Sequence, residues 1–88
     1  MPLFLIERQF AEEVDLSKGD VDEITRVNDL SAAHWLYSFL SSDKKKTYCL
    51  YEAPSAEAIR KAARELGLPV DNIVEVDRLQ PDDISQEA

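Results

Sequence analysis

The chain is poor in the residues that most often carry chemistry. Among 88 residues there are one cysteine, one histidine, one tryptophan and two glycines. A lone cysteine, Cys49, forms no internal disulfide and completes no zinc pair, which favours a reducing compartment and makes the cytoplasm the expected location. Two glycines, Gly19 and Gly67, are too few and too far apart for a phosphate-cradling loop, and neither a nucleophile elbow nor a His-Glu-x-x-His helix is present. Positive charge is scarce as well. Lys+Arg number 10 against 18 Asp+Glu, a net charge of −8 that repels phosphate backbones and anionic lipid heads, so no nucleic acid and no membrane is expected as a partner. Long apolar runs are missing: the opening Met-Pro-Leu-Phe-Leu-Ile soon meets Glu7 and Arg8, too short for a signal-peptide core or a membrane span.

What remains is the composition of an ordinary globular domain, 44% hydrophobic and 32% charged. A chain of this length buries roughly 60 to 65% of its unfolded surface, a modest core that a second copy would supplement. Leu3 to Phe10 is an apolar run of strand length with charge only toward its end, which suits a central strand. After a connection without sustained period, Asp20 and Glu23 form an acidic version of the capping box. Val21, Ile24 and Val27, followed by Asn28 or Leu30, then recur at helical spacing, predicting a first helix over Asp20 to Leu30.

Between Ala33 and Ser41, Trp35, Tyr37 and Phe39 alternate with Leu36, Ser38 and Leu40. A strand would place the three rings in a row on one face. Ser41 to Lys45 is the turn of a hairpin whose basic run, Lys44 to Lys46, reads as a solvated tip, and Tyr48 to Ala53 is the returning strand. Pro54 stops that strand, Ser55 caps a second helix, and Ala58, Ile59, Ala62, Ala63 and Leu66 form its narrow apolar stripe. Gly67 supplies the left-handed terminus and Pro69 blocks continuation. Asn72 to Leu79 is a fourth strand whose polar alternation suggests an edge.

This order is that of a ferredoxin-like α+β domain over residues 1–79, βαββαβ, with a four-stranded antiparallel sheet and two helices on one face. Residues 80–88 form an acidic tail. The opposite sheet face has no cover within one copy, so a homodimer joined through that face, with a cavity for a ligand between the sheets, is the expected assembly.

The stretch Tyr48-Cys49-Leu50-Tyr51-Glu52-Ala53-Pro54-Ser55, with Gly67-Leu68-Pro69-Val70-Asp71-Asn72-Ile73 and Val74-Glu75-Val76, resembles a family of small bacterial proteins long catalogued as a domain of unknown function, some described as nickel-binding. The similarity extends from Phe4 and Glu7-Arg8 through the fourth strand. It implies a ferredoxin-like fold and a dimer, and it makes nickel the candidate cofactor, although the nickel description transfers poorly to this chain. In the metal-binding relatives, histidines at the end of the first strand, in the second strand and around the second helix are associated with the metal. This chain has Arg8 and Gln9, Tyr37, and Ala62, Ala63 and Leu68 there, leaving His34 as its one imidazole.

Each candidate side chain has a plain and a sharper reading. His34 is a hydrogen-bonded or solvent-facing histidine at a strand end, or a metal ligand or general base. Cys49 is a buried inert thiol. Glu52 satisfies amides near Pro54 and Ser55, or lines a pocket with Glu7, where two close carboxylates would drive one pKa upward and make an acid/base pair. Glu7 and Arg8 would otherwise form a rim pair. Trp35, Tyr37, Phe39 and Tyr51 are interface core, or the walls of a binding box in which tyrosine hydroxyls give the polar contacts. Two functions follow: a dimeric protein binding a small molecule or a metal ion between its sheets, or a small cofactor-free enzyme of the dimeric α+β-barrel type, an oxygenase or isomerase using Glu7, Glu52, Tyr37 or Tyr51.

Overall fold

Strand β1 (Leu3–Gln9) is the centre of the computed structural model, which describes residues 1–82. It pairs antiparallel with β3 (Lys46–Glu52) on one side and with β4 (Asn72–Val76) on the other. The hairpin partner of β3 is β2 (His34–Leu40), and the sheet order is β2-β3-β1-β4. Helices α1 (Lys18–Leu30) and α2 (Ala56–Leu66) complete the expected βαββαβ order of a ferredoxin-like α+β fold. Strand four stops at Val76, three residues short of the predicted Leu79, since β1 begins at Leu3 and offers no partner beyond it. Of the tail expected over 80–88, residues 83–88 lie outside the described residues.

Alternation along the central strands sorts every side chain to a face. Phe4, Ile6 and Arg8 lie on one face of β1, opposite Tyr51, Cys49 and Thr47 of β3, and all six are buried. Both helices cover this face. Ile59 of α2 joins Phe4, Ile6, Cys49 and Tyr51 in the core, and Asn28 of α1 donates from Nδ2 to the Tyr51 hydroxyl at 3.3 Å. Asn28 rather than Leu30 is thus the last inward residue of α1, and Leu30 is exposed. The alanine stripe of α2, with Ala62 and Ala63 buried, lets that helix approach closely.

The first helix begins two residues earlier than predicted, at Lys18 rather than Asp20. Ser17, not Asp20, is its N-cap: the Ser17 hydroxyl accepts from the Asp20 amide at 3.1 Å and the Asp20 carboxylate accepts from the Ser17 amide at 3.0 Å. Glu23 plays no part in this cap. The Ser17 amide, which donates to it, and to a lesser degree the Ser17 side chain hold the Asp20 carboxyl below its usual value. A depressed carboxylate pKa stabilises the fold above the ordinary aspartate value, and that contribution is lost as pH falls through the lowered one. Ser17→Ala is expected to cost about 1 kcal/mol in urea unfolding at neutral pH, with the difference shrinking in acid; an unchanged midpoint would show the cap to be idle. At the far end Ala32, at φ 58°, takes the left-handed position that Gly67, at φ 68°, takes after α2.

Candidate functional site

The predicted site residues divide between the two faces of the sheet. On the face away from the helices lie Leu3, Leu5 and Glu7 of β1, Tyr48, Leu50 and Glu52 of β3, and Val74 and Val76 of β4. The expected row of three aromatics is broken. A β-bulge between Trp35 and Tyr37 shifts the register, so Trp35 stands opposite Tyr51 on the helix side whereas Tyr37 and Phe39 stand opposite Leu50 and Tyr48 on the open side. Tyr37 and Phe39 meet edge to face, centroids 5.7 Å apart. They are 49% and 62% exposed, and Val74 is 46% exposed.

The two candidate carboxylates share the open face but not a pocket. Glu7 is opposite Tyr48 while Glu52 is opposite Leu3, a separation of about 13 Å along the strand, so the proposed acid/base pair does not assemble. Glu7 instead accepts from Lys46 Nζ at 2.6 Å. That hydrogen bond, with a lesser one to Tyr48, raises the Lys46 pKa, and Lys46 also lies 5.4 Å from the Tyr48 ring centroid. The Glu7–Arg8 rim pair does not form either. Adjacent strand residues point to opposite faces, and Arg8 goes inside. The shared parity of Phe4, Ile6 and Arg8 was the sequence signal that placed Arg8 on the core face.

Inside, Arg8 is 3% exposed and donates from Nη1 to the Pro69 carbonyl at 2.7 Å. Its guanidinium carbon lies 6.0 Å from the centroid of the Tyr51 ring. Around it the α2–β4 connection is tied to β1: the Asp71 carboxylate accepts from the Gln9 amide at 2.6 Å and the Asp71 amide donates to the Glu7 carbonyl at 2.9 Å. Burial pushes the Tyr51 phenol up from its ordinary pKa, opposed by the charge of Arg8 and the hydrogen bond from Asn28. Trp35 donates from Nε1 to the Ser38 hydroxyl at 2.8 Å, a contact that the bulge makes geometrically accessible.

His34 sits on the open face at the opposite end of the sheet from the hairpin turn. Its Nδ1 is 3.8 Å from Asp29 Oδ1, and Glu52 is its partner across the strands. Among the described residues no three His, Cys, Asp or Glu side chains come together as a metal-holding group. No helix among them is long and apolar enough to cross a membrane.

No curated protein matches the chain. The crystal structure of SCO4226 from Streptomyces coelicolor A3(2) superposes with a TM-score of 0.68 at 20% identity, covering 89% of this chain and 99% of that one, a likeness that establishes the fold. The family model described as nickel responsive protein SCO4226-like matches residues 4–76, which takes in all six elements of secondary structure apart from the first residue of β1. The chain therefore belongs to the SCO4226-like family of nickel responsive proteins.

Proposed function

We propose that this protein is a cytoplasmic, homodimeric ligand-binding protein without catalytic machinery, two copies packing open sheet face to open sheet face around a small molecule or metal ion. The observation that carries this reading is the apolar open face, where Tyr37 and Phe39 of β2 and Val74 of β4 are exposed on either side of Leu50 of β3 and Leu5 of β1, with Glu7, Lys46 and Glu52 at the rim. A two-fold axis through such a face is self-complementary, since the acidic and basic rim residues of one copy meet those of the other. The enzyme alternative draws on Glu7, Glu52, Tyr37 and Tyr51, which the sheet distributes over two faces and two ends.

Nickel, named in the family's description, meets a poor donor set in one copy. One imidazole with a carboxylate nearby makes a weak and unselective site for a divalent ion, so the residues of a single chain do not fit a nickel centre. Light scattering is expected to give twice the mass of one chain at micromolar concentration, and a stable monomer would remove the basis of the proposal. Thermal unfolding in micromolar nickel is expected to be unshifted. Nickel at a hundredfold excess over its Kd would add about 2.7 kcal/mol, so a rise of several degrees that His34→Ala abolishes would overturn the metal-poor reading.

A further inference from the structure

The helix side of the sheet holds a cavity of about 170 Å³ at the hairpin end, between the strands and the β1–α1 connection. Its walls are apolar, with Trp35, Leu40 and Ile24 at the sides and Val14 and Leu16 of the connection above. That connection is held in place by backbone hydrogen bonds from Phe10 to the Lys45 carbonyl and from Val14 to the Lys44 carbonyl, both 2.7 Å. Arg8 lines this space. It is a fully charged group, 97% removed from solvent by its 3% exposure, and among the described residues no carboxylate is ion-paired with it. A buried charge ordinarily has a counter-charge, because leaving water costs an ion several kcal/mol that uncharged partners, here the Pro69 carbonyl and the Tyr51 side chain, do not return.

The other polar groups of the cavity are donors with protons to spare. The Ser38 hydroxyl accepts from Trp35, the Thr47 hydroxyl accepts from Cys49 Sγ at 3.5 Å, and the Tyr51 hydroxyl accepts from Asn28, while none of the three donates a bond among the described residues. Each keeps its own O–H for an acceptor. No acidic side chain lines the space. With no carboxylate in the lining, one guanidinium and three hydroxyls with free O–H groups, set in walls that are otherwise almost entirely apolar, complement an anion that carries a hydrophobic body.

We propose that this cavity binds a small organic acid, its carboxylate on Arg8 and the hydroxyls and its apolar body against Trp35 and Leu40. A monoanion leaves the buried site neutral, whereas a phosphate dianion would leave an unbalanced negative charge in it. A space of this order accommodates a ring of benzene size, so the ligand has about eight to ten non-hydrogen atoms. The site does not involve the open face and stands independently of the dimer.

Trp35, the chain's one tryptophan, forms part of the wall and reports on occupancy. Phenylacetate and hexanoate, titrated into the full chain, are expected to change its emission saturably. Their neutral amides, phenylacetamide and hexanamide, should bind at least about tenfold more weakly. The Arg8 Nε–H resonance is expected to move with the acids and not with the amides, a readout that needs no variant. Arg8→Met, which keeps an unbranched apolar stem and removes the charge, should erase the preference for acid over amide. Equal binding of acids and amides, or no saturable response to either acid up to about 10 mM, overturns the proposal.

Discussion

Ile6→Ala is expected to remove about 3 to 4 kcal/mol of stability and to lower the melting temperature by roughly 12 to 32 °C. Ile6 is 0% exposed, at the middle of the central strand, with Cys49 and Ile73 as its cross-strand partners and Ile59 of α2 packed in the same cluster. Strands on both sides leave little freedom for the backbone to collapse into the vacated space, so the cavity term adds to the lost transfer energy. Domains of this size have only about 5 to 15 kcal/mol in total, which makes the loss a large fraction. Urea unfolding followed by circular dichroism measures it. A cost under about 1 kcal/mol would show that the core reorganises around β1, in conflict with the tight registers on both its edges. Leu36→Ala, at the bulge and solvent-exposed, is the control and should change stability by no more than about 0.5 kcal/mol.

The double change Tyr37→Asp with Phe39→Asp is expected to weaken self-association by at least about 1,000-fold, corresponding to about 4 kcal/mol. Both rings are exposed in the single copy, so the fold has no need of them. In a two-fold assembly each substitution occurs twice, placing four carboxylates where four rings would pack. Burying such charges unpaired is far costlier than the lost apolar contact. Sedimentation equilibrium would follow the change to monomer. The melting temperature of the variant should also be independent of protein concentration, whereas for the proposed dimer of the unaltered chain it is expected to rise with concentration. A variant that remains dimeric would place the interface elsewhere on the molecule.

Much of the architecture is legible in the residues because it is decided locally. The second helix is bounded as predicted: the Ser55 hydroxyl accepts from the Ala58 amide at 3.2 Å, and Gly67 adopts the left-handed terminus. Capping and turn preferences act over three or four residues, where the chain has few competing choices. The first helix shows the limit of such signals. Ser17-x-x-Asp20 and Asp20-x-x-Glu23 are overlapping boxes, and the earlier one prevails, with both of its hydrogen bonds made.

The candidate site was less legible, for reasons of pairing. Trp35, Tyr37 and Phe39 share a parity in the sequence, yet one extra residue in β2 moves Trp35 to the side opposite its two neighbours. Tyr51, expected to meet that row on the open face, is buried beneath the helices with Asn28 and Arg8 beside it.

The sequence by itself determined the order of strands and helices, the ends of α2, the presence of an apolar face without cover and the poverty of metal ligands, since each follows from composition or from periodicity over a few residues. Only the tertiary structure decided that Glu7 and Glu52 stand apart, that Trp35 and Tyr51 face inward, and that Arg8 is enclosed. Those outcomes depend on the register between strands distant in the chain, and a one-residue slip in a strand of period two reverses the face of every side chain beyond it.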